Sequence, residues 1–246
     1  MKKLYIKPYL FVSNNLDYIK KATIITNSNY TKNAIKQTWN ADSTVIYPPC
    51  PQYSFPLEDK INEEVTDTNT VCTLGRFTPE KEYDTILQIA KERPRIKFEL
   101  IGSVTADKIS YLEALKNKAS RNVIFHVNAS IDEKIEILKR SKILLHSFQG
   151  EHFGVAIIEA MSAGLIPVTH NSGAAKEDKL VDDLFRYTNL ENALDCLDRA
   201  ISLWDLDKAL KLREYAQNFS TEHYNKNLKL FVENWISTHS HLRKKK

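Results

Sequence analysis

Cysteine is scarce in this chain. Cys50, Cys72 and Cys196 are its three, odd in number and widely spaced, with no Cys-x-x-Cys pair and no histidine spacing suited to zinc. That excludes a disulfide framework or a zinc module and reads as the reduced thiols of a cytosolic protein. The sequon positions Asn29, Asn128 and Asn218 are then incidental. Long apolar runs are absent as well. Met1-Lys-Lys-Leu-Tyr-Ile-Lys-Pro-Tyr-Leu-Phe-Val12 is positively charged but never reaches the apolar core of a leader peptide, so neither a signal peptide nor a membrane span is expected. Nor does one sign of charge dominate. The formal net charge is +4, and Arg243, Lys244, Lys245 and Lys246 account for it by themselves. A globally basic nucleic-acid binder is therefore excluded. The terminal cluster reads as a solvated tail, with peripheral contact to an anionic cytoplasmic membrane face as the alternative. No internal repeat is present.

What is present is an alternation. With 246 residues, 42% of them hydrophobic, the chain can bury a real core. Strand-like runs at Ala22 to Thr26, Thr44 to Tyr47, Thr70 to Leu74, Lys97 to Ile101, Asn122 to His126, Ile143 to His146 and Leu165 to His170 alternate with helical periodicity. The fold class is α/β: a Rossmann-like parallel sheet with helices on both faces. Thr78-Pro79 places a hydroxyl before a first-turn proline and predicts a helix from Pro79 to Glu92. Ser130-Ile-Asp-Glu133 has capping-box spacing and predicts one from Ile131 to Arg140. After Tyr187 the strands stop, and Glu191 to Leu203, Leu206 to Phe219 and Thr221 to Ser237 form a helical C-terminal tail, the last helix capped by Ser220. The proline-dense Tyr47 to Pro56, followed by the acidic Leu57 to Asn69, interrupts the rhythm and suggests a boundary. The expected division is 1–56, an N-terminal piece with its linker; 57–219, the body; and 220–246, the C-terminal helix and basic tail.

Two stretches carry chemistry. Glu151-His-Phe-Gly-Val-Ala-Ile-Ile-Glu159 sets two carboxylates around a loop that feeds a helix, at the carboxyl end of a strand, where open α/β sheets bind ligands. Leu74-Gly75-Arg76-Phe77-Thr78-Pro79-Glu80-Lys81 places two cations beside another strand end. Arginine offers a planar fork to phosphate oxygens and lysine a mobile point charge, a pair suited to a diphosphate. The plainer alternatives are surface salt bridges from Arg76 and Lys81 to Glu80, Glu82 or Asp84, and a helix carboxylate at Glu159 satisfied by a neighbouring lysine. Taken together the two stretches describe a sugar-nucleotide pocket. Free N–H groups around Phe153 to Ala156 would face phosphates, and Glu151 and Glu159 would accept from hydroxyls.

These residues resemble a known family. Gly75-Arg-Phe with Lys81, the paired Glu151 and Glu159, and Gly164-Leu-Ile-Pro-Val168 before Ser172-Gly173 are similar to the nucleotide-binding half of the GT-B retaining glycosyltransferases of family 4. More narrowly, Tyr47-Pro-Pro-Cys50, Ile101-Gly-Ser103, His146 ahead of Glu151-His-Phe-Gly154, and His170-Asn-Ser-Gly173 with Lys176 and Asp178 resemble the GDP-mannose-using α-1,2-mannosyltransferases of the dolichol pathway. The likeness runs from about Ala22 to Leu180. It implies catalytic roles for Arg76, Lys81 and Glu151, the cations on the donor diphosphate and Glu151 at the transferred sugar. It implies donor contacts from Gly75, Gly102, Ser103, Val127, His152, Phe153, Gly154, Val155, Glu159, Ser172 and Gly173, with Glu159 on the ribose. No metal and no cofactor are implied; the one Asp-x-Asp, Asp205-Leu-Asp207, sits in a helical pattern. The implied partners are a nucleotide sugar, a glycan or lipid-linked acceptor, and a partner chain supplying the acceptor domain, most of which the chain is expected to lack. A binding subunit without catalysis and a sugar-nucleotide epimerase are the other readings. Ala174 departs from the family's second glycine and would strain the loop if that position were left-handed. Phe231 and Trp235 on the last helix, and Leu4 to Val12, are expected to lack cover.

Overall fold

The runs pair into two parallel sheets. The computed structural model describes residues 21–60 and 70–239; Leu4 to Val12, most of the acidic stretch up to Asn69, and Arg243 to Lys246 lie outside them. A two-stranded unit joins β1 (Ile24–Thr26) to β2 (Ser43–Val45) through α1 (Asn29–Trp39). The six-stranded sheet comprises β3 (Thr70–Leu74), β4 (Lys97–Gly102), β5 (Val123–Val127), β6 (Ile143–His146), β7 (Ile166–His170) and β8 (Arg186–Tyr187), in the order β5-β4-β3-β6-β7-β8. All seven expected strands keep within two residues of their predicted ends, and β3 and β6 match their runs at both. The two-residue β8 has too little sequence to announce itself.

Every residue of β3 and of β6 is buried, as a central parallel strand covered on both faces requires. The helices over the sheet are α2 (Tyr83–Glu92), α3 (Ile109–Lys118), α4 (Ile131–Arg140), α5 (Val155–Ser162) and α6 (Gly173–Glu177). On α2, Tyr83, Ile86, Leu87, Ile89 and Ala90 form one buried stripe at helical spacing. Each large apolar side chain fully removed from water contributes about 1.5–3 kcal/mol. The strand order reverses between β3 and β6: β4 and β5 wind to one side of the pair, β7 and β8 to the other. Loops leaving the carboxyl ends of β3 and β6 diverge there and leave a crevice.

The helix expected from Pro79 to Glu92 is two elements. Pro79–Lys81 forms a single 3-10 turn, Glu82 takes a left-handed conformation at φ 52°, and α2 begins only at Tyr83. The Thr78 hydroxyl does not cap the turn; it donates to the Arg76 carbonyl at 3.5 Å. At α4 the predicted start holds, with Ser130 Oγ accepting from Glu133 N–H at 3.1 Å. The reciprocal half of the capping box is absent, because the Glu133 carboxylate lies 2.8 Å from His126 Nδ1 instead.

The C-terminal tail contains α7 (Leu190–Leu203), α8 (Leu206–Ala216) and α9 (Thr221–His239), with a 3-10 turn at Gln217–Phe219. Asp205 caps α8 by accepting from Lys208 N–H at 2.7 Å, and Asp207 pairs with Lys211 at 2.5 Å, so the Asp-x-Asp serves the helix. On α9 no residue is fully buried, and Leu230, Val232, Trp235 and Ile236 are exposed. Trp235 Nε1 donates to Thr23 Oγ1 at 2.8 Å, which ties α9 to the β1–β2 unit. The proline-dense segment lies along the body: Cys50 N–H donates to Phe219 O at 2.8 Å and Tyr53 Oη to Glu159 at 2.6 Å.

Candidate functional site

At the switch between β3 and β6 a cavity of about 530 Å³ is walled by Gly75, Arg76 and Lys81 from the first motif and by Glu151 to Ala156 from the second. Asn27 and Pro48 complete it from the N-terminal unit. The two expected motifs therefore meet in one place.

Lys81 is brought inward by the break at Glu82. Ser147 Oγ donates to its carbonyl at 2.6 Å, and its ammonium lies 4.1 Å from the centre of the Phe148 ring. The ammonium stands 3.2 Å from Glu151 Oε2, and His146 Nε2 stands 3.2 Å from the same oxygen. Burial pushes the Glu151 carboxyl up, but the His146 hydrogen bond and the His146 and Lys81 charges outweigh it and hold the group at about 2. Glu151 is thus an anion locked between two basic groups. Arg76 remains on the rim, its side chain 69% exposed and 3.9 Å from Glu80. At that separation and exposure the ion pair contributes little, so Arg76 can turn to a ligand.

Gly154 opens α5 at φ 95°, and a Cβ there would come within 2.7 Å of Ile157 Cδ1. No side chain caps this helix, so the first-turn N–H groups at Val155 and Ala156 face the cavity with the positive end of the helix dipole behind them. The Phe153 ring packs between Tyr47 and Phe219, each 5.6 Å away, and anchors the loop. His152 stacks on Tyr30 at 6.2 Å.

Other expected residues lie behind the cavity. Ser172 Oγ accepts from Gly150 N–H at 2.8 Å, and Ala174 N–H donates to Glu151 O at 2.8 Å, so this segment buttresses the Glu151 loop. Gly173, at φ 62°, is the left-handed residue, and a Cβ on it would fall 2.4 Å from Glu151 O. Ala174 lies in helical backbone within α6, so the strain feared there does not arise. Gly102 packs beneath the Gly75 carbonyl, where a Cβ would approach to 2.2 Å. Ser103 accepts from Phe77 N–H at 2.9 Å, and Val127 ends β5; these three stand at neighbouring strand ends outside the cavity wall. Glu159 is also outside the wall. It is buried, and one carboxylate oxygen accepts from both Tyr53 Oη and Lys134 Nζ, each at 2.6 Å. The lysine partnership weighed for it from sequence is present.

Sequence reading missed Asn27, Tyr30, Ser147 and Phe148, none of which belongs to a motif that announces a ligand. It also passed over Asp178 as an anchor. Asp178 Oδ1 accepts from Asn29 N–H at 2.7 Å and from Tyr47 Oη at 2.9 Å, while Oδ2 accepts from Tyr30 N–H at 3.2 Å. It caps α1 from across the molecule and fixes the N-terminal wall. Among the described residues no cluster of three metal-ligating side chains occurs, and no helix is long and apolar enough to cross a membrane.

The family model of glycosyl transferases group 1 matches residues 54–226. A Xenopus laevis protein named GDP-Man:Man(3)GlcNAc(2)-PP-Dol alpha-1,2-mannosyltransferase is 32% identical over 217 residues, covering 79% of this chain and 44% of its own length. The Homo sapiens protein of the same name is 29% identical, over 64% of this chain and 36% of its own. The chain thus spans less than half the length of these relatives. Among solved structures, Anabaena HepE in complex with UDP superposes with TM-score 0.74 at 19% identity, covering 92% of this chain and 69% of that one. The sucrose-phosphate synthase of Thermosynechococcus elongatus does so with TM-score 0.71 at 16% identity, over 88% and 59%. At these identities the likeness is one of fold.

Proposed function

The chain belongs to the glycosyl transferases group 1, and from that premise we propose that its cavity holds the diphosphate of a nucleotide sugar, GDP-mannose first, as the donor side of a retaining mannosyltransferase acting on a glycan or lipid-linked acceptor. One observation carries the reading: Arg76, Lys81, Glu151 and the uncapped start of α5 converge on a single cavity at the point where the strand order reverses. The relatives' shared name supplies the donor and the acceptor class.

In transfer, the bond between the sugar's anomeric carbon and the β-phosphate oxygen breaks with its electrons going to the diphosphate, an acceptor hydroxyl oxygen bonds to that carbon, and the hydroxyl proton passes to the departing phosphate. Negative charge accumulates on the β-phosphate oxygen. Lys81 and the first-turn N–H groups of α5 are held at the cavity wall, where preorganised groups stabilise developing charge with little reorganisation, and Arg76 would turn in from the rim. In this reading no metal or cofactor is used. The Glu151 carboxylate would meet the transferred sugar, and Glu159, whose Oε1 is held by Tyr53 and Lys134, would offer its other oxygen to the ribose. In this reading 57–219 is the donor unit, 1–56 a remnant of the acceptor-side domain with its linker, and 220–246 the terminal helix and tail. A cytoplasmic setting, with Arg243 to Lys246 touching an anionic membrane face, belongs to the same reading.

A second reading keeps the donor cavity but not catalysis: a nucleotide-sugar-binding subunit working with a partner chain. Co-expression with a candidate acceptor-domain polypeptide and assay with labelled GDP-mannose separates the two. Label appearing in a glycan or lipid fraction supports transfer. A stable complex that binds GDP-mannose yet transfers nothing supports the subunit, and no binding in either form removes both.

A further inference from the structure

Resting on the donor-site reading, we propose that Asn27 is a donor-binding residue whose side-chain amide donates to a diphosphate oxygen. Asn27 and Pro48 are the two cavity residues that lie outside the stretch 54–226 matched by the family model. The matched stretch of the family model therefore does not reach this wall.

The placement of Asn27 is enforced from both sides. It follows β1 directly, between the buried Thr26 and the buried Ser28. Thr26 Oγ1 donates to Ser28 O at 3.2 Å, Ser28 Oγ accepts from Thr31 N–H at 3.0 Å, and Asn29 N–H is held by Asp178 at 2.7 Å. Each neighbour is pinned, so the Asn27 backbone has little freedom. Ser28 Oγ, whose hydroxyl donates to Thr31 Oγ1 at 3.0 Å, stands 3.4 Å from Asn27 Oδ1 and so borders the carbonyl end of the amide. The Nδ2 hydrogens have no partner among the described residues.

Charge selects the ligand atom. Glu151 is the one carboxylate on the cavity wall, and it is already committed to Lys81 and His146. Apart from the His152 ring, stacked on Tyr30, the remaining polar groups, Arg76, Lys81 and the α5 N–H groups, are donors or cations. A neutral amide donor added to this set fits an anionic oxygen and can be desolvated at far smaller cost than a further charge.

Calorimetry with GDP and with GDP-mannose on the full chain, the Asn27→Ala and Asn27→Asp variants, and thermal melts of each decides the matter. Asn27→Ala should weaken both ligands by about tenfold, the effect of losing one hydrogen bond to a charged acceptor. Asn27→Asp should weaken both further, because a carboxylate repels the diphosphate, and neither variant should melt more than about 2 °C below wild type. Unchanged binding in Asn27→Ala overturns the proposal alone, as does a loss confined to GDP-mannose, which would place the amide on the sugar. Binding by Asn27→Asp that equals or exceeds that of Asn27→Ala, or a melting point several degrees lower, overturns it too. Failure of the wild-type chain to bind either ligand overturns the donor-site reading itself, and this proposal with it.

Discussion

The Lys81 ammonium and the Glu151 carboxylate meet at 3.2 Å although 70 residues separate them in sequence. The pair means that a bound diphosphate must share Lys81 with an anion already present. Glu151→Gln releases that competition. GDP should then bind about threefold more tightly, a gain of under 1 kcal/mol. GDP-mannose should gain nothing, since the group meeting its sugar has changed. Titration of both ligands checks this, and equal loss for the two would contradict it.

The same pair predicts an acid limit. The folded Glu151 carboxyl sits at about 2, below its ordinary 4.5, so the folded state binds fewer protons than the unfolded chain between those values. The stabilisation, of order 3 kcal/mol, is complete above about pH 4.5 and is lost as pH falls through about 2. Urea denaturation of wild type and Glu151→Gln at stepped pH should show the gap between them closing over that window.

Lys60 predicts a slope of the same sign in an alkaline window. It is fully buried, and its ammonium donates to the carbonyls of Leu138, Lys139 and Ser141 at 2.5, 3.1 and 2.6 Å, capping the end of α4. Burial lowers it to about 7 from 10.5, so between those values the unfolded chain carries the extra proton and stability rises with pH. Lys60→Met leaves carbonyls without donors and should cost about 1–3 kcal/mol at pH 7. Denaturation at pH 7 and pH 9 should show that cost growing with pH.

Asp178→Ala removes the acceptor of the first two α1 amides and the link to Tyr47, leaving only the Ser28 cap. A loss of about 1–3 kcal/mol is expected. Hydrogen exchange should report it first at the Asn29 and Tyr30 amides. Donor affinity should fall as well, because Asn27 and Pro48 lose their anchor.

Gly173→Ala tests the buttress behind Glu151. Its backbone is left-handed, and the new Cβ would sit 2.4 Å from Glu151 O. The left-handed geometry alone costs about 1–2 kcal/mol, and the contact adds to it. Thermal melting should show a drop of several degrees, with loss of donor binding at temperatures where the fold persists.

Much of this architecture is legible in the chain. Thr70 to Leu74 and Ile143 to His146 are short apolar runs buried on both faces, and period and composition are enough to place them. The donor motifs are legible for the same reason: Gly75-Arg76 and Gly154 adjoin strand and helix ends that the pattern already locates. Where partners come from far away, the sequence is silent. Glu159 meets Tyr53 across 106 positions, and Asp178 reaches Asn29 across 149. No spacing predicts such contacts. The break at Glu82 was hidden for a different reason: a proline-led start reads as one helix, and only the inward turn of Lys81 and its hold by Ser147 reveal two elements.

The central claim is that Arg76, Lys81 and the start of α5 form a diphosphate site. Calorimetric titration of GDP-mannose into the wild-type chain and into Lys81→Ala tests it most directly. The account predicts binding to wild type and a loss of about ten- to hundredfold in the variant, as expected for one charge-assisted contact. Equal affinity for the two proteins, or no binding to wild type, would contradict it.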